Sequence, residues 1–309
     1  MITIRAALQL LAVAIVISAI VVAMHLSSFS RGWQVTDDGL LQYSIPAPEY
    51  QLKPLDVTDD FQLFKVVFES KDQQIEGLLR KPETNISRGD RGLPGIVLLP
   101  GATVTKEREQ GLARYLCNLG YASLALDQRN LGAIDPRGDL QSFLKGIEPA
   151  EHKMVYDALA AAEILRAQPD IDPGRIIYIG ESNGGRFAII ACALDPKARG
   201  VIAISTCGYG TDSAISLGEL QDPEAIRFYR SIDPDTYLDK IPPRELAMIH
   251  SRNDTIIPYE LAERTYAKAS RPKDMHLVGC TMHGYCAEMS ASLEKALLDL
   301  ESGSYSPRI

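Results

Sequence analysis

The chain reads as an α/β protein, a mostly parallel sheet with helices on both faces. Three observations predict this. Short apolar runs such as Gly95–Leu99 and Ile176–Ile179 carry no polar alternation, as strands buried on both faces require. Those runs alternate with helical stretches, which implies right-handed crossovers between parallel strands. The 309 residues are 46% hydrophobic, enough for one sizeable core.

Taken in order, two strand-like stretches at 61–69 and 74–80 precede the alternation. Strand 95–99 ends at Pro100-Gly101. A helix follows, with Leu112, Tyr115, Leu116 and Leu119 at i, i+3, i+4 and i+7 and Gly120 as its stop. Strand 121–126, helix 150–167, strand 175–179 and helix 183–194 come next. Strands at 200–205, 246–250 and 275–278 and helices at 259–269 and 287–300 complete the pattern. Residues 207–243 interrupt it between two strands. Carrying Tyr209, Phe228, Tyr229 and Tyr237, they read as a lid-like insertion.

The amino terminus differs in composition. Ala6–Met24 is apolar apart from Gln9 and Ser18, and as a helix its 19 residues would span about 28 Å, close to the bilayer core. Residues 1–26 are therefore expected to be a transmembrane anchor. A cleaved signal peptide is the competitor, but its apolar region runs only about 7–15 residues. Arg5 on the amino-terminal side gives a slight positive-inside bias that places the body, residues 55–309, outside the cytoplasm. Residues 27–54, with Ser27, Ser28, Ser30, Pro46 and Pro48, read as a tether.

A net charge of −8 with no Lys/Arg-rich block argues against a nucleic-acid partner. Five scattered cysteines are too few for a disulfide-built scaffold, although one bridge among Cys207, Cys280 and Cys286 is open. Their spacing does not give the pairing.

Gly180-Glu181-Ser182-Asn183-Gly184 has the form G-x-S-x-G. It stands between an apolar run and a helix, the setting of a nucleophile elbow. A side chain at the tip of so tight a turn brings neighbouring backbone close, so the flanking positions favour glycine. A serine hydroxyl needs a base, and the base an orienting acid. In this architecture the chain order is Ser, Asp, His. Asp254 follows strand 246–250. Of the five histidines, His283 alone lies after Asp254 in a loop past a strand. The backbone N–H groups of Asn183 and Ala102 are the expected oxyanion donors. Glu181, Arg186 and Thr103 are candidate substrate contacts, and two placements are open to Arg186: a bridge to Glu181, or a bidentate grip on a substrate carboxylate. Cys280, His283 and Cys286 offer three zinc ligands without a fourth, so no metal or cofactor is expected.

Leu99-Pro100-Gly101-Ala102, Asp127-Gln128-Arg129, the elbow, Asp254 and His283-Gly284 together resemble the α/β-hydrolase superfamily, over about residues 55–300. Within it the chain looks most like the dienelactone-hydrolase and prolyl-oligopeptidase-like branch. That resemblance implies cofactor-free cleavage of esters or peptides. The sequence departs from many relatives at Pro100, Asn130 and Arg186, none of them a triad position. A membrane-anchored esterase leads, a serine peptidase of the prolyl-oligopeptidase-like type is second, and a non-catalytic binding module of the same fold is third.

Overall fold

The computed structural model describes residues 32–44, 48–83 and 92–303. The apolar segment Ala6–Met24 lies outside the described residues. Among the described residues no helix is long and apolar enough to cross a membrane.

A hairpin of β1 (Trp33–Val35) and β2 (Leu41–Tyr43) precedes the main sheet. The sheet contains β3 (Tyr50–Val57), β4 (Phe61–Ser70), β5 (Gln73–Pro82), β6 (Leu93–Leu99), β7 (Ala122–Leu126), β8 (Ile171–Glu181), β9 (Gly200–Ile204), β10 (Glu245–Ser251) and β11 (Lys273–Val278). Their spatial order is β11-β10-β9-β8-β6-β7-β5-β4-β3. From β7 to β11 every pairing is parallel, and β5, β4 and β3 add an antiparallel wing. The α/β reading therefore holds, with the parallel part confined to the half that carries the site.

The helices are α1 (Gln110–Asn118), α2 (Pro136–Leu144), α3 (Ala150–Arg166), α4 (Asn183–Leu194), α5 (Thr211–Ser216), α6 (Pro223–Ile232), α7 (Tyr259–Lys268) and α8 (Ser290–Ser302). Alternate residues of each central strand feed opposite faces, as a two-residue period demands. Val97, Leu99, Tyr178 and Val201 pack with α3 and α4, whereas Ile96, Leu98, Ile177 and Ile202 pack with α1 and α8.

The structure differs from the sequence reading at two places. The stretch expected to be a tether is built into the fold at β1, β2 and β3, because Trp33 and Leu41 are buried in the main core. Leu41 N–H also donates to the Tyr237 hydroxyl at 2.9 Å. Residues 207–243 hold α5 and α6 and are fastened to the body. Phe228 stacks 5.5 Å from Phe143, and Tyr237 is fully buried. Apolar anchors of this size make the insertion part of the core.

Candidate active site

Ser182 joins β8 to α4 with φ 52° and ψ −119°, a conformation that a non-glycine residue adopts only under constraint. The constraint is on both sides. Ser182 N–H donates to Ile204 O at 2.9 Å, continuing the pairing of β8 with β9, and the Thr206 hydroxyl donates to Ser182 O at 2.6 Å. Glycines make room for the turn: a Cβ at Gly180 would lie 2.2 Å from Gly184 O, and one at Gly184 only 2.1 Å from Leu99 O. Neither position accepts another residue unmoved.

Asp254 and His283 arrive from the ends of β10 and β11. His283 Nδ1 lies 2.8 Å from Asp254 Oδ2. Asp254 Oδ1 accepts the N–H groups of Ile256 and Ile257, each at 2.9 Å. Burial of the Asp254 carboxylate raises its pKa, but the Ile257 N–H, His283 and the Ile256 N–H outweigh that and hold it below the ordinary value. The aspartate is thus an anion that can only accept, so Nδ1 donates this hydrogen bond. Its side chain is 0% exposed and that of His283 23%, leaving the imidazole open to solvent and substrate. Buried His250 lies beneath, with Nε2 2.8 Å from Ile257 O and 3.8 Å from Asp254 Oδ2.

The loop after β6 closes over the serine. A Cβ at Gly101 would stand 3.4 Å from the Ser182 Cβ, so this loop touches the elbow. The Gln128 amide donates to Pro100 O, and Asp127 accepts Lys106 N–H at 2.9 Å. The Asp127-Gln128 pair therefore holds both ends of the loop. Ala102 is partly buried in it. Asn183 is the first residue of α4, and the first amides of a helix have no intrahelical acceptor. Its side-chain amide donates to Gly132 O at 3.1 Å, which fixes the elbow against the turn after β7.

The three candidate substrate contacts fare differently. Arg186 makes no bridge to Glu181. Its Nε donates to Cys207 O at 2.9 Å, its Nη1 to Asn183 Oδ1 at 2.7 Å, and its guanidinium lies 4.2 Å over the Tyr209 ring. One turn of helix carries Arg186 away from β8 and against the insertion. Glu181 accepts Tyr285 N–H at 3.1 Å. Thr103 is exposed at φ 67°, its N–H donating to Leu131 O at 2.7 Å. Cys280 and Cys286 are bonded to each other, so the bridge forms across the loop of His283 and Cys207 stays a thiol. Sequence reasoning missed Glu109, Gln128 and Thr206, which touch the site's supports from elsewhere in the chain. Only Gln128 had a signal, its place beside Asp127 and Arg129.

Comparison with known proteins places the chain in a family. Residues 27–255 match the acetyl xylan esterase (AXE1) family. An uncharacterised protein of Mycobacterium tuberculosis (strain ATCC 25618 / H37Rv) is 28% identical over 210 residues, 67% of this chain and 68% of its own. Among solved structures, an acetyl xylan esterase from Paenibacillus sp. R4 superposes with a TM-score of 0.66 at 16% identity, covering 82% of this chain and 89% of its own. A glucuronoyl esterase from Solibacter usitatus gives a TM-score of 0.59 at 14% identity, covering 88% and 89%. These likenesses in structure are likenesses of fold. The family match spans most of the chain, and on it the chain belongs to the acetyl xylan esterase (AXE1) family, serine carboxylic ester hydrolases of the α/β-hydrolase superfamily.

Proposed function

We propose that the protein cleaves carboxylic esters through Ser182, His283 and Asp254, and that Ala6–Met24 anchors it in a membrane. The 2.8 Å contact between His283 Nδ1 and Asp254 Oδ2 carries the catalytic reading, because it leaves Nε2 as the base. His283 takes the Ser182 proton as the hydroxyl oxygen attacks the ester carbonyl carbon. The resulting oxyanion is held by the N–H groups of Asn183 and Ala102, where loss of one donor costs about 3–4 kcal/mol. Collapse expels the alcohol, protonated by His283, and leaves an acyl-serine. Water, deprotonated by the same imidazole, then releases the acid. Throughout, the Asp254 anion stabilises the imidazolium.

The test pairs acyl esters of increasing length with a panel of peptide amides. Ser182→Ala is expected to lower kcat/KM on esters by roughly a thousand-fold or more and to abolish fluorophosphonate labelling. Labelling that survives the substitution overturns the nucleophile assignment. Turnover of the peptides alone would make the enzyme a peptidase. The anchor is supported by its apolar length. Full-length protein should stay in the membrane pellet after an alkaline carbonate wash, and its recovery in the supernatant would remove that part of the reading.

A further inference from the structure

The mechanism leaves one charged residue of the elbow without a task. Glu181 immediately precedes Ser182, yet its carboxylate points to the loop of the base. Its Oε2 accepts Tyr285 N–H at 3.1 Å. Gly284 lies against the same atom: at φ 84°, a Cβ there would stand 2.6 Å from Glu181 Oε2. The two residues that follow His283 are thus docked on the residue that precedes Ser182. Glu181 also interacts with the carboxyl of Glu109, the residue before α1, which is 4% exposed.

Two carboxyls meeting inside a protein cannot both be ionised, and one proton shared between them resolves the repulsion. Burial, then the charge of Glu181 and the hydrogen bond with it, push the Glu109 carboxyl up to about 9. Burial likewise raises Glu181, opposed by Tyr285 N–H, Glu109 and the nearby His283. The charged and titratable groups facing the pair are His283 and the Tyr285 phenol. An apolar pair would fill this space at lower cost in desolvation, so stability alone gives no reason for the carboxyls. A charge-assisted hydrogen bond to a backbone N–H does, because it fixes a loop in direction as well as distance.

We propose that Glu181, backed by Glu109, is a positioning residue for catalysis: its carboxylate ties the strand end that bears Ser182 to the loop that bears His283, and so sets the separation of nucleophile and base. The inference rests on the triad reading above.

The experiment compares full-length wild type with Ser182→Ala, Glu181→Ala, Glu181→Gln and Glu109→Gln for kcat, KM, fluorophosphonate labelling rate, melting temperature and pH profile. Glu181→Ala should lower kcat about ten- to a hundred-fold with little change in KM, the scale expected when reacting groups shift by about an ångström. Glu181→Gln, whose amide oxygen still accepts Tyr285 N–H, should restore most of it. Wild-type activity should fall as Glu109 ionises near pH 9, and Glu109→Gln should remove that limb. Wild-type kcat in Glu181→Ala overturns the proposal. So does equal loss in the Ala and Gln variants, or an alkaline limb that persists in Glu109→Gln, which decides the matter even if Glu181→Ala does not fold. Activity retained by Ser182→Ala would instead defeat the triad reading, whatever the glutamate variants do.

Discussion

Gly184 shows at the scale of one residue why the elbow was legible. Any L side chain there meets Leu99 O at 2.1 Å and Pro100 O at 2.4 Å, so the need for glycine is written into the pattern G-x-S-x-G. Gly184→Ala should push the loop that holds Ala102 away from Ser182, costing about 1–3 kcal/mol of stability or more and most of the ester turnover. Gly111, in the first turn of α1, is the contrasting case, since a Cβ there would meet no heavy atom within 4 Å. Gly111→Ala should therefore leave activity intact and add up to about 1 kcal/mol. Urea unfolding of the two variants beside ester kinetics checks the contrast, and similar behaviour of both would refute it. The meeting of Asp254 with His283 was equally readable, since chain order and position after a strand single them out. Glu181 was not. Its type and place were plain, but its direction depends on Glu109 and Tyr285, which approach from other elements.

Among the elements, the parallel strands were legible because burial on both faces leaves continuous apolar runs. The missed ones have ordinary physical reasons. β3 lies at the edge of the sheet, is exposed over nearly its whole length and contains Pro54, so it shows neither alternation nor an apolar run. β1 and β2 are three residues each, too short for a period. α2 and α6 begin with Asp-Pro caps at Asp135 and Asp222, and those caps, rather than long apolar stripes, were their signal. Arg129 knits several of these pieces together. Its Nε and Nη2 reach Asp157 of α3 at 2.7 and 3.1 Å, Nη1 reaches Asp72 at 2.8 Å, and Nη2 donates to Ser70 O at 2.6 Å. Arg129, three residues past β7, thereby fastens the β4–β5 turn to a core helix. Arg129→Met would strand the Asp157 carboxylate in the interior, at a cost of about 3–5 kcal/mol. Adding Asp157→Leu should recover much of that loss in chemical denaturation. If the double variant is no more stable than the single one, the buried charge is not the cause.

For the molecule as a whole, buried ionisable groups set the pH of greatest stability. Glu109 is pushed up to about 9, and burial lifts Glu151 to about 7 although the Tyr209 hydroxyl donates to it at 3.0 Å. Both start from 4.5 in the unfolded chain. Between that value and their folded values the native state holds protons that the unfolded chain has released, so stability falls as pH rises. His152 acts in the opposite sense: burial among Trp33, Phe143 and Phe228 lowers it from 6.5 to about 3. Below pH 6.5 the unfolded chain takes up a proton that the fold refuses, and stability falls as pH drops. The two trends leave the maximum in mildly acidic solution. Melting temperature should decline from about pH 6.5 to 9, a range in which the net charge of −8 adds self-repulsion of the same sign. The glutamates separate local from global effects, because Glu109→Gln and Glu151→Gln each remove a buried titration while leaving the surface charges in place. Each variant should flatten the decline over its own window, Glu151→Gln up to about pH 7 and Glu109→Gln up to about pH 9. Profiles parallel to wild type would assign the pH dependence to net charge alone.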